Sequence, residues 1–406
     1  MGRTGFEGKQ HPFASMKVSA FFSALCGVGL LLALNGKHLR KLFYKHWSFP
    51  HYINLIVVIC FACTAAGSIL AASVECARHT SYTPQTLFVF GDSFADTGNL
   101  PPTKGNFEMS RQWKAPYGMS NRVDGSGRRQ QHATGRFSDF MVQSDFIAKM
   151  LGLPQSPPTY LSTPDLHCDP SGMNFAFYGA GMFRFPGEMM MMSVSEQVDV
   201  FESMIKDGTI SHNHVTHSVA LLAVSGTDYN RFNVSGFSSA TDCIEKETTE
   251  IIAITQRLQN LGVKKILVNN LQPLGCTPFW CRPTLYHECD EFGNVIAFVH
   301  NKKLKHKLPR NKGIFIVDMY TAFNNIIADH GSKSYKQFEA GRKPCCEGYG
   351  PRVYCGEQHP DTDYLFYLCK DPSKRFFWDD THPTHAGWEA VMKQLEEPIK
   401  EFLGVV

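Results

Sequence analysis

The chain has 406 residues, of which 43% are hydrophobic and 19% are charged. This length and composition suit one large α/β domain, or two small ones, with an ample hydrophobic core. The net charge of +3 is too small to indicate a nucleic-acid-binding surface, so nucleic acid is not an expected partner.

The N-terminal extension, residues 1–73, has the pattern of a targeting segment. Residues 18–34 are apolar and basic residues follow them; a second apolar run, residues 53–72, ends in Ala71-Ala72-Ser73. A basic flank, an apolar centre and small residues at its end are typical of a cleaved secretory signal, which predicts a secreted, extracellular protein. The alternative is an uncleaved signal anchor, because residues 53–72 are just long enough to span a bilayer. Membrane contact is expected only through this segment.

The first strong motif of the remaining chain begins at residue 87. Residues 87–90 form a short apolar run with the composition of a buried strand, and Gly91 ends it. Ser93 follows directly, at the end of the strand where α/β sheets bind their ligands. Ser93 is therefore a candidate nucleophile, although Asp92 and Ser93 also suit a helix cap.

Strand and helix patterns alternate along the rest of the chain. This alternation favours a parallel sheet covered on both faces, and no linker indicates a second domain. The predicted strands are residues 86–90, 219–224, 265–269 and 314–319, and the predicted helices are residues 143–151, 195–206, 242–261, 294–308 and 386–403.

The cysteines predict an oxidising compartment. Three of the 13 lie in the N-terminal apolar runs, and ten remain, with clusters at residues 276–289 and 345–369. Disulfide-linked loops account for these clusters better than zinc, because the spacings of the ten remaining cysteines do not give paired Cys-x-x-Cys ligands. The pairing is left open. Asn233-Val-Ser235 is a glycosylation acceptor of the kind found on surface loops of secreted proteins.

An acid and an imidazole stand three residues apart near the C-terminus, at Asp379 and His382. On a tight turn, Asp379 can hold the His382 ring in one tautomer while the other ring nitrogen takes a proton from Ser93. A helix cap and a surface histidine are the alternative for each residue alone. The combination of Ser, Asp and His in one domain favours nucleophilic catalysis without a metal or cofactor.

Four short blocks follow one another along the chain. They are Phe90-Gly-Asp-Ser93, Gly135-Arg-Phe-Ser-Asp139, Ser225-Gly-Thr-Asp-Tyr229 and Trp378-Asp379-x-x-His382-Pro. In this order they resemble the plant GDSL esterase/lipase family of the SGNH hydrolase superfamily, over residues 84–402. The resemblance implies one hydrolase domain with a flavodoxin-like three-layer α/β/α sandwich around a parallel sheet. It also implies carboxylic ester or lipid substrates.

The same resemblance implies an oxyanion hole with three donors. Two are the backbone N–H groups of Ser93 and Gly135, and the third is an Asn side chain in the third block. This chain has Thr227 at that position, whose hydroxyl is a shorter donor on a β-branched side chain. Three outcomes are open. Thr227 replaces the Asn donor with its own hydroxyl or through a water, the enzyme is slow, or the site now serves acyl transfer or binding.

The sequence therefore predicts a secreted, monomeric serine ester hydrolase that acts on a small-molecule or lipid ester. Activity is expected to fall as the pH drops through about 6.5, because a protonated His382 is no longer a base. The alternatives are an acyltransferase that uses the same three residues and a weakly active secreted binding protein.

Overall fold

The computed structural model describes residues 86–102, 110–119, 132–163, 169–184, 191–231, 236–308, 312–327, 337–339, 341–350, 353–358 and 364–405. The predicted signal or anchor segment, residues 1–73, and the predicted glycosylation acceptor Asn233 lie outside these ranges. None of the helices within them is long and apolar enough to cross a membrane.

Five parallel strands form the central sheet, in the spatial order β2-β1-β3-β4-β5. This is the flavodoxin-like strand order, in which the chain winds first to one side of β1 and then to the other. The predicted fold class is confirmed. The strands are β1 (Thr86–Gly91), β2 (Gly172–Asn174), β3 (Ser218–Ala223), β4 (Lys265–Asn269) and β5 (Ile314–Val317).

The helices alternate with these strands along the chain. Short 3-10 turns lie between some of them, and one of these, Arg111–Trp113, contributes to the site described below. The helices are α1 (Gln143–Met150), α2 (Val194–Lys206), α3 (His212–Thr216), α4 (Thr227–Arg231), α5 (Phe237–Asn260), α6 (Pro278–Cys281), α7 (Glu291–Lys307), α8 (Met319–Ile327) and α9 (His385–Leu403).

The sheet is covered on both faces because successive side chains of a strand point to opposite sides. In β1, Leu87 and Val89 belong to one hydrophobic core, together with residues of α1, α8 and α9. Phe88 and Phe90 belong to a second core, with residues of α2, α3 and α5. These two cores make the three-layer α/β/α arrangement.

The observed elements differ from the predicted ones mainly where a short segment depends on its neighbours. The predicted strand 314–319 ends at Val317, and Met319 already begins α8, which the sequence pattern did not separate from the strand. The three-residue strand β2 was also missed. It is held by pairing with β1, where Leu87 lies opposite Gly172, and three residues are too few to show a strand period.

The cysteine clusters form disulfides, as predicted. The pairs are Cys276–Cys289, Cys345–Cys369 and Cys346–Cys355. The last two bonds hold a small antiparallel hairpin of β6 (Cys346–Gly348) and β7 (Phe366–Leu368). Within the described residues Cys243 and Cys281 are unpaired, so an even count of cysteines did not by itself predict which of them would bond.

Candidate active site

Ser93 lies just beyond the carboxyl end of β1, in a turn that requires glycine at position 91. Gly91 has a φ of +140°, and a Cβ there would lie 1.9 Å from the Ala223 carbonyl oxygen. The Gln197 side chain accepts a hydrogen bond from the Gly91 N–H (2.8 Å) and donates one to its carbonyl (2.9 Å). The Asp92 N–H donates to Ala223 at 3.0 Å. Ser93 thus sits on a rigid base.

The structure brings Ser93, His382 and Asp379 into one hydrogen-bonded chain. His382 Nε2 lies 2.7 Å from Ser93 Oγ, although the two residues are 289 positions apart. His382 Nδ1 lies 2.7 Å from Asp379 Oδ1. All three side chains are buried, which strengthens the electrostatic interactions among them. The geometry is that of a nucleophile, a base and an orienting acid.

The turn that carries Asp379 and His382 is held by its own backbone. Asp379 Oδ1 accepts hydrogen bonds from the N–H groups of Thr381 (3.0 Å) and His382 (2.9 Å), besides facing the imidazole. The Trp378 N–H donates to the His382 carbonyl at 2.6 Å. The Phe137 ring packs against the imidazole with 4.9 Å between centroids. A spacing of three residues therefore suffices to place Asp379 against one ring nitrogen of His382 while the other ring nitrogen faces Ser93.

Two residues that the sequence did not single out complete the surroundings of Asp379. The Tyr117 hydroxyl donates to Asp379 Oδ2 at 2.7 Å. An Arg111 guanidinium nitrogen lies 3.9 Å from the same oxygen. Burial alone raises the pKa of Asp379, but the facing His382, its hydrogen bonds and the Arg111 charge bring that pKa well below its usual range. Asp379 is therefore held ionised.

Gly135 lies where a side chain cannot be accommodated. Its φ is +77°, and a Cβ would lie 2.5 Å from the Gly98 Cα and 2.7 Å from the Trp113 ring. Within the described part of the chain, the N–H groups of Ser93 and Gly135 donate to no protein acceptor. Both are the backbone donors that the sequence predicted for an oxyanion.

Comparison with known proteins agrees with this geometry. A family profile described as GDSL-like lipase/acylhydrolase matches residues 87–395. The chain belongs to this family. GDSL esterase/lipase At5g03610 of Arabidopsis thaliana is 33% identical over 84% of this chain and 94% of its own length. GDSL esterase/lipase At3g09930 of the same plant is 30% identical over 85% of this chain and 98% of its own length.

Membership in the GDSL-like lipase/acylhydrolase family confirms the predicted enzyme class, a carboxylic ester hydrolase. The family resemblance found in the sequence blocks is confirmed over nearly the same residues. The roles of individual residues in this GDSL domain remain predictions that follow from the geometry above.

Thr227 occupies a different hydrogen-bonding position from the one expected of an oxyanion donor. Its hydroxyl donates to Asp92 Oδ2 at 3.2 Å, and the same oxygen accepts from the Ser225 N–H and hydroxyl at 2.7 Å each. Burial raises the pKa of Asp92, and these hydrogen bonds oppose that rise. Because a hydroxyl carries one proton, donation to a substrate requires Thr227 to leave Asp92. Thr227 as a third donor therefore stays a prediction.

Asp379, Asp380 and His382 also offer ligand atoms within 4.8 Å of one another, a grouping with the donor types of a cation site. The hydrogen bonds described above already engage both Asp379 oxygens, and His382 Nε2 faces Ser93. The ligand atoms of Asp379 and His382 in this GDSL domain are thus already engaged by other protein groups.

Proposed function

We propose that this protein is a secreted serine ester hydrolase in which Ser93, His382 and Asp379 act together. The observation that carries the proposal is the pair of 2.7 Å contacts that join Asp379 to His382 and His382 to Ser93. This arrangement supports acyl transfer through a serine nucleophile, which the family assignment alone does not require.

The proposed reaction has two halves. Ser93 Oγ attacks the ester carbonyl carbon while its proton passes to His382 Nε2, and Asp379 stabilises the imidazolium that results. The bond between the carbonyl carbon and the alcohol oxygen then breaks; the alkoxide takes the proton from His382 and leaves as the alcohol, and the acyl group stays on Ser93 as an acyl-serine. A water molecule gives a proton to His382 and attacks the acyl carbonyl carbon. The bond to Ser93 Oγ then breaks, His382 returns the proton to Ser93, and the acid is released.

The charge that develops on the carbonyl oxygen needs donors that are already in place. The backbone N–H groups of Ser93 and Gly135 are proposed for this role, because neither has a protein acceptor within the described residues. Thr227 is proposed as a weaker third donor that must first exchange its bond to Asp92.

Secretion is proposed from two features. Residues 53–73 combine an apolar run with a small-residue end, and three disulfides are formed within the described part of the domain. Expression of the full chain in plant cells, followed by mass spectrometry of the N-terminal peptide from the medium, tests this. A mature N-terminus near Ser73 supports secretion, whereas an intact chain in the membrane fraction supports the anchor at residues 53–72.

The activity is tested with purified protein, a fluorophosphonate probe and p-nitrophenyl esters of increasing chain length. The wild-type protein and Ser203→Ala, which alters an exposed serine, should be labelled and should hydrolyse a subset of the esters. Ser93→Ala should lose labelling and at least about 10³-fold in kcat. Equal labelling of Ser93→Ala and wild type would exclude the mechanism. An absence of both activities in wild type would instead favour a binding protein, and ester formation with an added alcohol would indicate an acyltransferase.

A further inference from the structure

Arg111 places a buried positive charge beside the proposed catalytic residues. Its side chain is 4% exposed. The guanidinium carbon lies 5.4 Å from the centroid of the Phe137 ring, 5.6 Å from that of Tyr178 and 4.8 Å from that of Tyr354. A cation enclosed by aromatic rings loses hydration, so nearby anions must compensate its charge.

Two carboxylates partly neutralise the charge of Arg111, and they lie at different distances from it. The guanidinium Nη2 lies 3.5 Å from Asp380 Oδ1 and 3.9 Å from Asp379 Oδ2. Both distances exceed the length of about 2.7–2.9 Å that is typical of a charge-assisted hydrogen bond, so charge is the main component of each interaction. The Asp380 side chain as a whole is 38% exposed, but its Oδ1, which faces Arg111, is buried, and burial raises the pKa of Asp380; the Asp379 side chain is only 3% exposed.

Other titratable groups near His382 are held by partners of their own. Burial raises the pKa of Tyr117 well above its usual value, so this phenol donates to Asp379 in its neutral form. Other titratable side chains on elements packed around His382 have hydrogen-bond partners among the described residues: Asp92 with Ser225, Asp96 with the Gly98 and Asn99 N–H groups, Arg136 with Asp145, Asp139 with the His385 N–H, and the His385 ring with the Met141 N–H. Asp380 interacts with both Arg111 and His382 through its charge, and the Tyr178 ring lies against Arg111. Arg111 is thus the guanidinium that acts directly on Asp379.

We propose that Arg111 is a positioning residue whose charge limits how strongly His382 holds a proton, and that it thereby sets the acid limit of the enzyme's activity. This inference rests on the proposed function, because it concerns the base that Ser93 requires. Ionised Asp379 attracts a proton to His382, and Arg111 weakens that attraction by partly neutralising the carboxylate. Without the cation, His382 stays protonated to a higher pH and is unavailable as a base.

The test is the dependence of kcat/KM on pH, measured from pH 4.5 to 8.5 with a soluble p-nitrophenyl ester. In Arg111→Gln the acid limb should move to higher pH by about half a unit to one unit, because a nearby charge has been removed. In Arg111→Lys the limb should stay near that of wild type, because the charge is retained. If Arg111→Gln does not fold, Arg111→Met, which fills the space between the aromatic rings without a charge, should show the same move of the acid limb to higher pH.

Asp380→Asn provides a test of opposite sign on a partly exposed residue. It leaves the Arg111 charge less compensated and also removes a carboxylate that itself interacts with His382, so for both reasons its acid limb should move to lower pH. Unmoved limbs in the uncharged Arg111 variants, even with a lower kcat, would show that Arg111 only fills space and would overturn the inference. An upward shift in Asp380→Asn would do the same. An inactive wild-type protein would instead overturn the proposed function, so the two failures are distinguishable.

Discussion

The Tyr117 hydroxyl and the Asp379 carboxylate are 262 positions apart in sequence and 2.7 Å apart in the fold. With His382 on one Asp379 oxygen and Tyr117 on the other, both oxygens are engaged and the plane of the carboxylate is set. Tyr117 therefore supports the orientation of His382 without touching the substrate.

Tyr117→Phe tests this relationship. Loss of a hydrogen bond to a charged group costs about 1.5–3 kcal/mol, but a water or a small rotation of Asp379 can recover part of it. We expect kcat to fall about tenfold with KM little changed, as measured by steady-state ester hydrolysis. Tyr349→Phe, on a side chain that is 70% exposed, serves as the control and should leave kcat unaltered. An unaltered kcat in Tyr117→Phe would contradict the supporting role.

Thr227→Asn tests whether the oxyanion site lacks a donor. An amide at this position can reach beyond Asp92, and a well-placed oxyanion donor is worth about 10²–10³-fold in kcat. We expect kcat on a short ester to rise by about tenfold or more. Thr227→Val is the matched control, since it keeps the β-branched shape and removes the hydroxyl that donates to Asp92. A large loss in Thr227→Val, with no gain in Thr227→Asn, would show that the threonine hydroxyl already serves as the donor.

Gly135→Ala separates close packing from backbone strain when it is compared with Gly152→Ala. Both glycines have positive φ, +77° and +79°, but a Cβ at Gly152 meets no atom within 4 Å. Gly152→Ala should lower the free energy of unfolding by about 1 kcal/mol, the strain of a left-handed alanine, with unchanged kcat. Gly135→Ala should lower it by about 2–4 kcal/mol because Gly98 and Trp113 must also move, and kcat should fall. Denaturant unfolding and ester hydrolysis measure the two effects, and equal losses would argue against tight packing at Gly135.

The burial of His300 indicates that the folded protein loses stability in acid. It is fully buried on α7, burial lowers its pKa to about 3, and a hydrogen bond of 2.8 Å joins its Nδ1 to the Tyr229 hydroxyl. The unfolded chain binds a proton at this position below about pH 6.5, while the folded chain does so only near pH 3. Stability is therefore lost as the pH falls between these values.

The measurement for His300 is the free energy of unfolding at pH 7 and pH 4.5. Wild type should lose about 2 kcal/mol more than His300→Gln over this interval, because glutamine does not titrate. His306→Gln, on the exposed side of the same helix, should retain the wild-type dependence. Parallel losses in wild type and His300→Gln would show that His300 contributes nothing to acid sensitivity.

Many of the strands and helices could be predicted from local patterns in the sequence. The predicted strand at residues 265–269 matches β4. The predicted helix at residues 386–403 begins one residue after the observed start of α9 at His385. Long periodic segments show their type because each residue repeats the same preference for one face. β2 and α8 were not predicted. β2 is only three residues long, and α8 follows β5 after a single residue.

The sequence alone singled out Ser93, His382 and Asp379, the residues proposed here as nucleophile, base and acid, because each lies in a short motif whose residue types and spacing suit that chemistry. The tertiary structure alone decided which side chains surround them. Arg111, Tyr117 and the partner of Thr227 come from segments far apart in the chain, and contacts of that kind leave no local pattern. They depend on how the loops at the ends of the parallel strands fold against one another, as does the pairing of the cysteines. For this reason the three side chains that form the hydrogen-bonded chain could be named from the sequence, whereas the charges and hydrogen bonds around them could not.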